Sequence, residues 1–268
     1  MSWVMSHEAG IRLGFFVGVF VLMAVWELVV PRRQLTAAKG ARWFSNLGIM
    51  VVGTVVVRVI FPSAAIGMAF LAAERGWGLF NNVDLAPAVS IAVSVLILDL
   101  VIYLQHVLFH AVPALWRLHM VHHADVDFDL TTGVRFHPLE ILLSMLIKFA
   151  AVVLLGPPAV AVIIFEVVLN ATSVFNHANV RLPTAVDRVL RLLVVTPDMH
   201  RVHHSVKTPE TNSNFGFNLP WWDRLLGTYR AQPEGGHKSM TIGLEQFQHR
   251  RDQGLLWILA LPFKGRSG

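Results

Sequence analysis

The chain contains no cysteine and little charge, and both shortages narrow what it can be. Without a thiol there are no disulfides, no thiolate zinc sites and no cysteine nucleophile, so imidazole and carboxylate remain as metal ligands. Charged residues are only 15% of the 268, while 54% are hydrophobic. An ordinary soluble domain carries roughly 25% charged residues. The mean hydropathy of +0.57 reflects long apolar runs, which are what a hydrocarbon layer of about 30 Å demands of helices. The sequence predicts an all-α, polytopic membrane bundle of four to five spans with a cytoplasmic, histidine-rich helical cap, one domain over 1–268. The net charge of +5 does not point to nucleic acid, because Lys and Arg fall in loops between apolar runs. No low-complexity linker divides the chain, and no repeat recurs beyond one histidine motif.

The predicted spans are about 11–30, 47–73, 87–110, 141–155 and 159–174, with the cap in 111–140 and 181–250. The first lacks the basic leader and small-residue cleavage site of a signal peptide and is read as an anchor. The following loop carries Arg32, Arg33, Lys39 and Arg42 without an acid, which places it in the cytoplasm and the N-terminus outside. Pro62 interrupts 47–73, which is either one kinked span, the preferred reading, or two half-length segments. Gly156, Pro157 and Pro158 turn a hairpin between the last two spans. A short helix is expected over 185–195, and 255–263 is too short to span and is placed on the surface.

Six of the thirteen histidines fall between Asp99 and Glu140. His106 and His110 are four apart, and His119, His122 and His123 form an HxxHH group that His200, His203 and His204 repeat. Residues three and four apart share one helix face, so each group presents its rings together. Asp99, Tyr103, His106 and His110 form one stripe on a helix leaving the membrane, where charge normally serves function. Eight clustered histidines exceed what one ion accepts, so two ions fit the count. Iron suits oxidation, and zinc or nickel would occupy the same ligands in recombinant protein. His177 is a further candidate ligand, and His137 is either a ligand or an interface residue. Asp99 is the first choice for orienting a ligand imidazole from behind. Asp125, Asp127 and Asp129 read as a solvated acidic loop or as a source of such a partner, and Asp198 and Asp223 are equally open. His7, His237 and His249 read as solvated surface residues.

The ordered motifs HVLFH, LWRLHMVHH, RFHPLE, NHANV, TPDMHRVHHS and NFGFNLPWWDRLLGTY, over about half the chain, resemble the fatty acid hydroxylase superfamily, also called the sterol desaturase family. The resemblance implies two irons held by His106, His110, His119, His122, His123, His177, His200, His203 and His204. It further implies dioxygen as oxidant and an external electron supply such as cytochrome b5 or a ferredoxin with its reductase. The expected reaction is hydroxylation or desaturation of a lipid, such as a fatty acyl chain or sterol, entering sideways from the bilayer. Some members carry HxxxH where this chain has Ser173 and His177, leaving one coordination position without its histidine. Two other classes compete: a metal transporter, which calls for ligands at mid-bilayer, and a haem electron-transfer protein, which calls for single facing histidines rather than adjacent ones.

Overall fold

The computed structural model describes residues 6–249 and 253–264, and among these it is helical throughout, with two isolated bridges and no strand. The bundle comprises α1 (Glu8–Val29), α2 (Lys39–Ile60), α3 (Ala64–Arg75), α4 (Pro87–Ala111), α5 (Pro113–His123), α6 (Pro138–Leu155) and α7 (Ala159–Asn176). Five segments are long and apolar enough to cross a membrane, with α2 and α3 counted together. Proline opens α4, α5 and α6, where its missing N–H costs nothing. The predicted spans at α2 and α6 start eight and three residues late, because hydropathy fades where those helices continue into the polar cap, while those at α4 and α7 start where expected.

The run 47–73 is two helices broken at Phe61 to Ser63, Pro62 removing a donor there. Gly53 abuts Ile141, Phe61 packs edge-on against Phe149, and Gly78 touches Gly156. These contacts advance in the same order along both segments, so the path from α2 through the bend to the residues just past α3 runs along α6 instead of doubling back. A Cβ on Gly78 would lie 2.2 Å from the Gly156 nitrogen, so only glycine fits this contact. Among the spans, the buried Glu166 is paired: it meets Lys148 at 2.7 Å and Arg12 at 3.1 Å.

The cap contains α8 (Thr184–Leu190), α9 (Pro197–His203), α10 (Thr208–Thr211), α11 (Trp221–Leu225), α12 (Gly236–Ser239) and α13 (Leu255–Ala260). The helix expected over 185–195 stops early: the Val195 N–H turns to Asn218 and Thr196 caps α9 through the Met199 N–H. The segment 255–263 is no surface appendage, since Ile258 and Leu261 are buried with Ile49, Val121 and Ala124.

The acidic loop after α5 is the largest departure from expectation. Asp125, Asp127 and Asp129 are buried, not solvated. Arg42, itself buried, donates to Asp125 at 2.7 and 2.8 Å and to Asp129 at 2.8 Å. Asp127 accepts the Thr36 and Ala37 N–H groups ahead of α2. Arg32 pairs with Asp198, and Arg33 donates to the Met240 carbonyl. Three of the basic residues assigned to membrane orientation thus also bind the first loop to the cap. Glu27, near the end of α1, accepts from Leu130 N and Asn179 N, tying that helix to the loops after α5 and α7.

Candidate metal centre

Helices α4, α5 and α9 and the end of α7 bring nine histidines together at one end of the bundle. His106, His110, His119, His123 and His203 form one group, and His122, His177, His200 and His204 form another; in each, one nitrogen per ring lies within 4.8 Å of every other. The i, i+4 pair on α4 and the HxxHH pattern on α5 and α9 place the rings on inward faces, as the helical period requires. Adjacent residues point to different groups: His122 faces His177 at 3.2 Å between Nε2 atoms, while His123 faces His110 at 3.1 Å. His177 and His200 are likewise 3.1 Å apart at Nε2. Such spacings match the edges of a coordination cage, roughly 2.9–3.4 Å when metal–nitrogen bonds are 2.0–2.1 Å.

The opposite ring nitrogens are held from behind. His106 Nδ1 lies 2.7 Å from the Phe215 carbonyl, His203 Nδ1 2.8 Å from the Ser213 carbonyl, and His119 Nδ1 2.7 Å from Glu140 Oε1. His110 Nδ1 lies 3.2 Å from Asn212 Oδ1, and His177 Nδ1 2.8 Å from the Ser173 carbonyl. An oxygen acceptor at Nδ1 keeps the proton there and leaves the Nε2 lone pair facing inward. The Nε2 atoms of His106, His119 and His203 are buried and otherwise unpartnered, as are His122 Nδ1, His200 Nδ1 and both nitrogens of His204. Buried nitrogens without partners are costly unless a ligand takes them. Burial, reinforced by neighbouring imidazoles, holds His122, His123, His200, His203 and His204 well below the ordinary histidine range. Burial lowers His177 to about 3, against the Ser173 carbonyl bond. Neutral imidazole is the form that binds a cation. The donor set therefore fits two borderline metal ions.

A family model described as fatty acid hydroxylase matches residues 91–228, which is half of the chain and contains all nine histidines. The chain belongs to the fatty acid hydroxylase family. The ornithine lipid hydroxylase OlsE of Rhizobium tropici is 28% identical over 94% of the chain and 76% of its own length. Human alkylglycerol monooxygenase is 28% identical over 54% of the chain and 32% of that protein, and human cholesterol 25-hydroxylase 31% over 51% and 49%. The chain thus spans half or less of the latter two relatives. No solved structure matches it. The family and these relatives place the chain among oxidoreductases that hydroxylate lipids.

For this hydroxylase family member, the outcome for the remaining expected residues is mixed. His137 stands apart: its Nδ1 accepts the Leu139 N–H at the start of α6, its Nε2 faces the Leu259 carbonyl at 3.2 Å, and its ring packs on Phe263. It caps a helix because Pro138 fixes the turn there. Asp99 touches no histidine; it accepts the Trp222 indole N–H at 2.8 Å. Ser173 gives its hydroxyl to the Gly133 carbonyl, so that position is occupied by structure. His237 is buried near Asp198 rather than solvated, whereas His7 and His249 are exposed. Asp198 pairs with Arg32 and Arg201, and Asp223 accepts the Phe215 and Gly216 N–H groups, steadying the carbonyl that holds His106.

Sequence reasoning missed Glu140, although it closes the motif RFHPLE, and it missed Asn212 and Phe136. Phe136 lies flat on His122 with ring centroids 4.5 Å apart. Backbone carbonyls carry no residue signature and had no signal to offer. A polar cleft of about 350 Å³ lined by His110, Trp116, Thr211 and Asn212 opens beside the five-histidine group.

Proposed function

We propose that the chain is a membrane di-iron oxygenase that uses dioxygen and external electrons to hydroxylate a C–H bond of a lipid. The observation that carries this reading is the pairing of two thiolate-free histidine groups, five and four rings, at one end of the membrane-spanning helices. His106, His110, His119, His123 and His203 would hold one iron, and His122, His177, His200 and His204 the other. Bound there, iron would supply the redox chemistry needed to attack an unactivated C–H bond. Zinc or nickel would fit the same nitrogens without that chemistry. The chain's own work is to orient these rings through Glu140, Asn212 and the carbonyls of Ser173, Ser213 and Phe215, while burial keeps His122, His123, His200, His203 and His204 neutral. Phe136 and Phe217 pack directly on the rings and offer apolar contact to an acyl chain or sterol. Ligands concentrated at one end of the spans leave no ladder through the bilayer, which argues against transport. The histidine end faces the cytoplasm on this reading, with cytochrome b5 or a ferredoxin and its reductase as electron donor.

Ornithine lipid, named in the relative matched along most of its length, is the first substrate to test, with alkylglycerols and sterols beside it. Mass spectrometry of lipids from cells with and without the protein should reveal a species that gains one oxygen or loses two hydrogens. His122→Ala should abolish it, and purified protein should carry two irons per chain without a Soret band. Identical lipid profiles for wild type and His122→Ala across a broad panel would defeat the proposal.

A further inference from the structure

The cap exposes apolar side chains where a water-facing domain has none to spare. Val189 on α8 is 63% exposed, and Leu192 and Leu193 just after it are 53% and 61% exposed; on and after α11, Trp221, Leu225 and Leu226 are 40%, 73% and 55% exposed. The two sets form one surface. Trp221 donates its indole N–H to the Leu192 carbonyl at 2.8 Å, and Arg224 donates to the Arg191 carbonyl at 3.3 Å. Contiguous apolar surface of this kind marks a contact face.

The position of that surface relative to the spans identifies what covers it. Trp222, beside Trp221, donates to Asp99, and Asp99 lies on α4 twelve residues before its last residue, Ala111. At ~1.5 Å per residue that is about 18 Å down a membrane-spanning helix. The Trp222 indole therefore meets α4 near its middle, well below the level of the histidines. Thr172, four residues before the end of α7, contacts Asn218 on the same descending segment. The edge formed by α8 and α11 thus sits alongside the spans, below the level of the histidines.

Charge agrees. The acids of the two short helices, Asp187 and Asp223, are buried, while Arg188 and Arg224 are exposed. Apolar residues with an interfacial tryptophan, rimmed by base and free of exposed acid, are what a headgroup and acyl boundary accepts.

We propose that the α8–α11 edge of the cap is immersed in the lipid interface, a second, in-plane membrane contact beside the transmembrane helices. This assignment is independent of which metal the histidines hold. The absence of cysteine makes the test direct, since Val189→Cys, Leu193→Cys and Leu225→Cys each place one nitroxide label on an exposed side chain. In nanodiscs containing phosphatidylglycerol and phosphatidylcholine, power-saturation EPR compares collision with oxygen, which enters lipid, and with a nickel chelate, which stays in water. Leu22→Cys on the outer face of α1 serves as the lipid reference and Gln246→Cys as the water reference. At least two of the three cap labels should match the Leu22 label, with nickel collision several-fold below that at Gln246. Nickel collision equal to Gln246 would make the face solvent-exposed and overturn the proposal. Low collision with both reagents would mean a protein partner covers it, and would overturn the proposal equally. The measurement needs no turnover, so its failure leaves the oxygenase reading standing, and failure of that reading leaves this one.

Discussion

Arg42→Met is expected to loosen the whole histidine end, because the guanidinium binds two buried carboxylates at once. Asp125 and Asp129 take three N–H···O contacts from it at 2.7–2.8 Å, and neither carboxylate reaches water. Removing one partner of a buried ion pair costs about 3–5 kcal/mol, chiefly for the charge left behind. Asn46 and Thr132 still donate to Asp125, and Thr131 to Asp129, so the lower part of that range applies. For chains of this size about 1 kcal/mol moves a melting midpoint by ~2–4 °C, so a fall of about 6–12 °C is expected. Thermal unfolding of metal-free protein in detergent, followed by circular dichroism at fixed scan rate, measures it. The companion variant Arg42→Met/Asp125→Asn/Asp129→Asn removes both orphaned charges and should recover at least half of the loss. A single variant melting within about 2 °C of wild type, or a triple variant no better than the single, would refute the assignment of the penalty to unpaired carboxylates.

Glu140→Gln keeps the shape at His119 but removes the charge behind it. Metal affinity of the five-histidine group should fall about 10- to 100-fold, measured by chelator competition, with the four-histidine group unchanged. Gly133→Ala would put a Cβ 2.5 Å from the Ser173 carbonyl and 3.1 Å from His177 Nδ1; elemental analysis should then find closer to one ion per chain than two. Metal-free protein should lose stability as pH falls below about 6.5, the ordinary histidine value. His177 and His237 are lowered to about 3 and about 4 by burial, so the unfolded chain takes protons first. An acid titration of the melting midpoint that stays flat between pH 6.5 and 4 would contradict this. Asp125 acts lower on the scale: burial raises it, but Arg42 and Arg135 prevail and hold it well below the carboxylate range, so its contribution is full above the ordinary value of about 3.9 and is lost progressively as pH falls further.

The helical membrane architecture was readable because hydropathy and the spacing of histidines both report period and length. The nine clustered rings were readable for the same reason, since HxxxH and HxxHH leave little freedom on a helix. What surrounds them was not. The acids after α5 alternate like a solvated loop, and only the distant Arg42 makes burial tolerable for them. His137 sits in a motif with the right residues, yet a proline beside it converts the ring into a helix cap. Asp99 shares the histidine stripe but lies two turns below His106, about 10 Å along the helix, where it meets Trp222 instead. Partners far apart in sequence, and backbone carbonyls above all, leave no trace in local pattern.

The short ribbon from Asn212 to Phe215 supplies the acceptors behind His110, His203 and His106, yet it follows every transmembrane helix in chain order. During synthesis α4 therefore enters the bilayer before the acceptors that hold His106 and His110 exist. Both histidine groups are in consequence complete only once the final third of the polypeptide, which carries His200, His203 and His204, has folded back over the embedded helices.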